Sequence, residues 1–157
     1  LTLAGHGASV GVLEVDWGSH RALSAAADHT LRLWDLARGE ALHTLAGHED
    51  VVGGASVGWE EELILSWADD RSLRLWDLGS GEAVHTLAGH DGPVWQAEVS
   101  WELRRAMSWS FADPAVRLWD LALGVLLASV RAAGGEALPA WRGQVHVDWD
   151  GQYALAR

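Results

Sequence analysis

Histidine, serine, aspartate and tryptophan recur along this chain in one fixed order. They appear as His6, Ser24, Asp28 and Trp34, then His48, Ser66, Asp70 and Trp76, then His90, Ser108, Asp113 and Trp119. A serine, a histidine and an aspartate are the parts of a hydrolytic triad, in which the imidazole takes the serine proton and the carboxylate orients the imidazole. Threefold repetition argues against that use. One active site needs one triad, and it needs an oxyanion hole and a substrate cleft besides.

Other chemistry is sparse. The absence of cysteine removes disulfides, thiolate metal sites and cysteine nucleophiles together. The absence of lysine and asparagine removes a Schiff-base lysine, a Walker-type phosphate lysine and an N-glycosylation sequon. His20, His29, His43, His85 and His146 remain, but none forms a spacing typical of a zinc site, so neither a metal nor a cofactor is expected. The segment from Gly5 to Gly11 is glycine-rich yet misses the dinucleotide fingerprint by one residue, and no helix is expected after it, so it reads as a loop.

The elements that must position these side chains are set by internal repetition. Leu-Ala-Gly-His occurs at Leu3 to His6, Leu45 to His48 and Leu87 to His90, in steps of 42 residues. Arg-Leu-Trp-Asp-Leu occurs at Arg32 to Leu36, Arg74 to Leu78 and Arg117 to Leu121, in steps of 42 and 43. The additional residue falls in the turn containing Phe111, because Ser24 to Asp28 and Ser66 to Asp70 are four apart whereas Ser108 to Asp113 is five. A fourth unit is degenerate: Asp148-Trp149 matches Asp16-Trp17, but no Gly-His precedes it and Ala156 stands where the serine would be.

A unit of 42 residues that opens with Gly-His and closes with Trp-Asp resembles the WD40 repeats of β-propellers. The resemblance covers nearly the whole chain. It implies an all-β fold, a β-propeller of WD40 type with three complete four-stranded blades and a partial fourth. The expected blades run approximately over 3–45, 46–87, 88–131 and 142–157, with a longer linker at 132–141. Short segments in which Val, Leu and Trp alternate with small or polar residues read as strands, near Val10 to Asp16, Arg21 to Ala26, Leu31 to Asp35 and Ala41 to Leu45 in the first unit. Ala37-Arg38-Gly39 and Gly79-Ser80-Gly81 supply positive-φ positions for tight hairpins. No segment keeps a 3.6-residue period, so no helix is expected.

The resemblance also assigns the repeated polar set a structural role, in which the aspartate fixes the imidazole, the imidazole bonds the serine hydroxyl and the hydroxyl receives the indole N–H. Blades are thin and covered on both faces, and an unpaired buried donor costs roughly 1–3 kcal/mol. Without His or Ser, the fourth blade is expected to be looser or braced otherwise. The remaining tryptophans are mostly assigned to packing. Trp17, Trp59, Trp101 and Trp149 share the end of the innermost strand and are expected in the core, while Trp67 and Trp109 fill space between blades. Trp95 differs, standing where the other repeats have Gly11 and Gly53.

Partners follow from charge and from that exception. The 157 residues carry 11 Lys plus Arg against 22 Asp plus Glu, a net charge of −11, and a surface of that sign repels nucleic acid. The longest apolar stretch, Leu121 to Val130, is about half of the roughly 20 residues that span a bilayer, so no direct membrane insertion is expected. The partner face implied by the resemblance holds Glu49, Asp50, Asp69, Asp91, Trp95 and Phe111, which suits a protein with a basic surface. Further blades or other chains are expected to cover the open propeller edges. No leader with a basic n-region and apolar core is legible, so the default compartment is cytoplasmic, and an organelle stays open if a targeting segment has been removed. The reading is a non-catalytic interaction or scaffold module within a larger protein complex. Its alternatives are a regulatory or positioning segment of a longer chain that carries a catalytic domain, and an architectural subunit of a cytoskeletal or organellar assembly.

Overall fold

Period-two alternation broken by turn residues yields fourteen strands and no helix among the residues that the computed structural model describes, namely 2–110, 112–113, 115–131, 145–148 and 153–156. The first blade consists of β1 (Val10–Asp16), β2 (Arg21–Ala26), β3 (Thr30–Asp35) and β4 (Glu40–Ala46), paired antiparallel in chain order. The second comprises β5 (Val52–Gly58), β6 (Leu63–Ala68), β7 (Ser72–Asp77) and β8 (Ala83–Ala88). The third comprises β9 (Gln96–Ser100), β10 (Arg105–Trp109), β11 (Ala115–Asp120) and β12 (Val125–Arg131). A hairpin of β13 (Val145–Asp148) and β14 (Tyr153–Ala156) follows. Its pairs Val145↔Ala156 and Asp148↔Tyr153 repeat the register of Leu13↔Ser24 and Asp16↔Arg21. The three four-stranded antiparallel sheets and the absence of helix among the described residues are those of β-propeller blades, and the described sheets do not close into a ring.

Turn geometry explains why the strands stop where they do. In the three four-stranded blades the first hairpin ends on a residue in the left-handed region, His20, Glu62 or Arg104, with φ of 56°, 56° and 52°. His29 and Arg71 do the same in the next turn, with φ of 65° and 69°. Gly39, Gly81 and Gly124 close the outer hairpins with φ of 74°, 74° and 69°. Gly81 and Gly124 have a second reason to lack a side chain, since a Cβ there would lie 2.8 Å from His43 Cγ and 2.5 Å from His85 Cγ.

Those two histidines show how blades join. His43 on β4 donates from Nε2 to the carbonyl of Gly79 at 3.0 Å, and His85 on β8 to that of Ala122 at 3.3 Å, so each outer strand reaches the outer turn of the next blade. Beneath them lie apolar cores. Leu23, Leu31, Leu33 and Leu45 of the first blade pack on Val52, Ala55, Ile64 and Trp76 of the second. Leu65, Trp67, Leu73 and Leu87 pack in the same way on Val94, Ala97, Ala106 and Trp119. Each fully buried leucine contributes about 1.5–3 kcal/mol. Arg21 adds a bidentate pair with Glu62, at 2.9 and 2.8 Å, and its guanidinium lies 5.3 Å from the Trp59 ring centroid.

The assignment of Trp17 to the core needs correction. It is 76% exposed, while its equivalents Trp59 and Trp101 are half-buried against the two cores. The difference is the neighbour: a blade lies in front of the second and third units but not in front of β1 here. Trp149, Phe111, the 132–141 linker and the side chain of Ala156 lie outside the described residues.

Candidate functional site

Each repeated polar set converges inside one blade. Trp34, Trp76 and Trp119 donate from Nε1 to the hydroxyls of Ser24, Ser66 and Ser108, at 2.8 Å in every blade. The serine oxygens lie 2.7, 2.8 and 2.7 Å from Nε2 of His6, His48 and His90. Nδ1 of the same rings lies 2.9, 2.7 and 2.9 Å from Asp28, Asp70 and Asp113. In the first two blades Nδ1–H donates to the carboxylate, which leaves Nε2 to accept the serine O–H and the hydroxyl oxygen to accept the indole N–H. The glycine before each histidine lets this ladder pack. A Cβ on Gly5 or Gly47 would come within 3.3 or 3.2 Å of the Trp34 or Trp76 ring edge and closer still to Arg32 or Arg74.

Electrostatics fit neutral imidazoles in the second and third blades. Burial lowers the His48 pKa against the opposing pull of Asp70. His90 is pushed down to about 4, by burial first and by the nearby Arg117 charge second. Asp28 and Asp70 are pushed up by burial, but hydrogen bonds from the imidazole, a neighbouring hydroxyl and backbone N–H groups outweigh this and hold both below the usual carboxylate range.

A fifth member of the network is absent from the sequence reading. The hydroxyls of Thr30 and Ser72 each donate to the second carboxylate oxygen, Oδ1, of Asp28 and Asp70 at 2.7 Å. In the third blade that position is Ala115, which has no hydroxyl to offer. Arg117 instead turns inward and pairs with Asp113, both being buried, with its Nη1 2.7 Å from His90 Nδ1. The repeat Asp-x-Thr/Ser-Leu-Arg-Leu-Trp-Asp, broken by Ala115 in the third unit, carries the signal for this exchange.

The carboxylates also bind the loops that enter the innermost strands. Gly7, Glu49 and Asp91 donate backbone N–H to Asp28, Asp70 and Asp113 at 2.8, 3.0 and 3.2 Å. Glu49 is thereby fixed beside the β6–β7 turn, and Asp69 in that turn donates its N–H to Val51 O at 3.0 Å. Val94 N–H bonds Ala68 O at 3.1 Å, which carries the third blade's entry loop to the same turn. Glu49, Asp50, Asp69, Asp91 and Trp95 are consequently exposed on loops and turns linked at one end of the blades. Phe111, the sixth residue of the expected face, lies outside the described residues.

Trp95 is 59% exposed, and local geometry gives the reason. In β1 and β5 the pairing slips by one residue at Gly11 and Gly53, a β-bulge whose extra residue is not held in the ladder. Trp95 occupies the equivalent place just before β9, with its N–H bonded to Trp109 O at 3.0 Å. An indole stands where the other two repeats have hydrogen, and a Cβ at the equivalent Gly11 would meet nothing within 4 Å.

Among the described residues no group of three or more His, Cys, Asp or Glu side chains is placed to hold a metal ion, and no helix is long and apolar enough to cross a membrane. Residues 1–35 and 39–77 match a family model described as WD domain, G-beta repeat. No curated protein matches the chain.

Proposed function

Because the chain belongs to the WD40-repeat family, whose domains are typically non-catalytic and generally bind other proteins, we propose that it is an interaction or scaffold module that docks a basic protein segment on its loop end. The observation that carries this reading is Trp95, a large apolar side chain exposed at a bulge position and flanked on linked loops by Glu49, Asp50, Asp69 and Asp91. An exposed aromatic supplies an anchor that loses water on binding, and carboxylates around it steer and orient a cationic partner. The His, Ser and Asp sets support the non-catalytic half of the proposal. Every serine oxygen in them is buried and already engaged by an indole and an imidazole, which leaves no approach for a substrate carbonyl.

The test compares Trp95→Ala with the unsubstituted chain for binding to a panel of Lys- and Arg-rich peptides. Expected are a loss of affinity of roughly tenfold or more, an unchanged unfolding temperature, and binding that weakens as salt rises. A lowered unfolding temperature with binding intact would show that Trp95 is a packing residue and would end the proposal.

A further inference from the structure

The third blade's polar ladder holds a contact that the other two do not have. Arg117 Nη1 lies 2.7 Å from His90 Nδ1, and a guanidinium donates hydrogen bonds but cannot accept them. Nδ1 of His90 is therefore the bare nitrogen of a neutral ring, and the ring proton sits on Nε2. From there it is donated to Ser108 Oγ at 2.7 Å, whereas Nε2 of His6 and His48 accepts from its serine. Arg117 Nη1 bonds the ring and the Asp113 carboxylate alike, in place of the direct Nδ1–H bond of the first two blades.

Those two blades show the other place that an arginine of this motif can take. Arg32 and Arg74 lie across the glycine before each ladder histidine, and Nη1 is the atom that a Cβ on Gly5 or Gly47 would meet first. At Gly89 that ground is open: a Cβ would meet Trp119 at 3.5 Å and Arg117 no nearer than Nε at 3.6 Å. Among the described residues, the charged groups around His90 are Asp113 in the β10–β11 turn, Arg117 on β11 and Asp91 beside it on its own loop. β10 presents the uncharged Ser108, and the second blade packs on Trp119 through Leu73, Leu75 and Leu87. A protonated ring would aim Nδ1–H at the Arg117 N–H groups, which sets two cations against one close carboxylate in a buried place.

We infer that the third blade is an acid-sensitive switch, in which protonation of His90 expels Arg117 to the ground over Gly89 and Nδ1–H takes over the Asp113 carboxylate. Burial and the Arg117 charge hold the His90 pKa down to about 4, so the arginine stays inside above that pH and leaves below it. The change reaches the loop end. Asp91 N–H shares Asp113 Oδ2 with Arg117, and its bond of 3.2 Å is longer than the 2.8 and 3.0 Å bonds of Gly7 and Glu49. Once Arg117 leaves, that oxygen serves only Nδ1–H and the loop N–H, and acid resets the entry loop that leads to Trp95. The switch lies in the ladder and stands whether or not Trp95 docks a partner.

Nitrogen-15 NMR of the histidine rings reads the proton positions, because a bare ring nitrogen resonates well downfield of a protonated one. At about pH 7 the expected result is an Nδ1–H ring at His48, an Nε2–H ring at His90 and slowly exchanging Arg117 guanidinium protons. An Nδ1–H ring at His90 would overturn the inference, and this measurement needs no substitution. On acidification, fast exchange of the Arg117 protons should set in together with the charging of His90, while the backbone signals of β9 to β12 persist. Arginine protons that remain protected once His90 is charged would overturn it, as would unfolding of the blade before His90 titrates. Arg117→Met should move the His90 proton to Nδ1 and raise its titration midpoint by about 1–3 pH units. Ala115→Ser keeps the arginine but gives Asp113 the hydroxyl that Ser72 supplies to Asp70, and should shift His90 towards the Nδ1–H form. A ring that stays Nε2–H in both variants would also overturn it.

Discussion

Removing one oxygen atom tests the polar ladder most directly. Ser66 is fully buried, and its hydroxyl accepts the Trp76 indole N–H at 2.8 Å and bonds His48 Nε2 at 2.8 Å. Ser66→Ala changes almost no volume but leaves two buried polar groups without partners, since Trp76 and His48 are themselves buried. At roughly 1–3 kcal/mol for each orphaned group, the expected loss is about 2–6 kcal/mol, a large share of a typical domain stability of about 5–15 kcal/mol. The control is Ser80→Ala, which removes an exposed hydroxyl bonded to Asp77 in a turn and should cost under about 0.5 kcal/mol. Urea unfolding followed by far-UV circular dichroism supplies the free energies, provided the slope against denaturant stays constant. Trp76→Phe removes the donor itself, so once the indole is gone the serine loss should cost about 1–3 kcal/mol less than it does alone. Strict additivity in that cycle, or a Ser66→Ala cost no larger than the Ser80→Ala control, would refute the account of the network as internal pairing of buried groups.

Two further outcomes follow from the same network. The pKa values of His48 and His90 in the folded protein lie below the ordinary 6.5, so the unfolded chain takes up protons first. Stability is therefore complete above about pH 6.5 and declines as pH falls towards 4, with His90 alone contributing about 3 kcal/mol at roughly 1.4 kcal/mol per pH unit. The depressed Asp28 and Asp70 add a second loss below about pH 3.8; stability that is flat between pH 7 and pH 5 in a denaturant titration would contradict the histidine part. Arg117→Met removes one partner of a buried ion pair and should cost about 3–5 kcal/mol. Adding Ala115→Ser, which supplies the hydroxyl found at Ser72, should recover part of that cost, and no recovery in urea unfolding would show that arginine and hydroxyl are not exchangeable here.

Local sequence determined the strands of a blade and the points at which its repeated polar residues stand. The 42-residue step placed His, Ser, Asp and Trp at equivalent points, and period-two alternation placed the first blade's strands to within one residue of Val10–Asp16, Arg21–Ala26, Thr30–Asp35 and Glu40–Ala46. That precision has a cause: a one-residue slip would turn every buried side chain of a strand to the opposite face. Tertiary structure decided which groups each side chain meets, in its own blade and in the next. Trp17 and Trp59 occupy the same place in the repeat, yet only Trp59 has a preceding blade, with Arg21 beside it, to cover it. His43 and His85 read as spare imidazoles in the sequence, and became ties between blades once Gly79 O and Ala122 O were brought to them. Arg117 shares its motif with Arg32 and Arg74, but it turns into the network because Ala115 leaves Asp113 without the hydroxyl that the other two blades provide. Repeat position fixes a residue's backbone and the face it points from. Burial, pairing and charge state depend on the groups that folding brings to it, in its own blade as well as in the next.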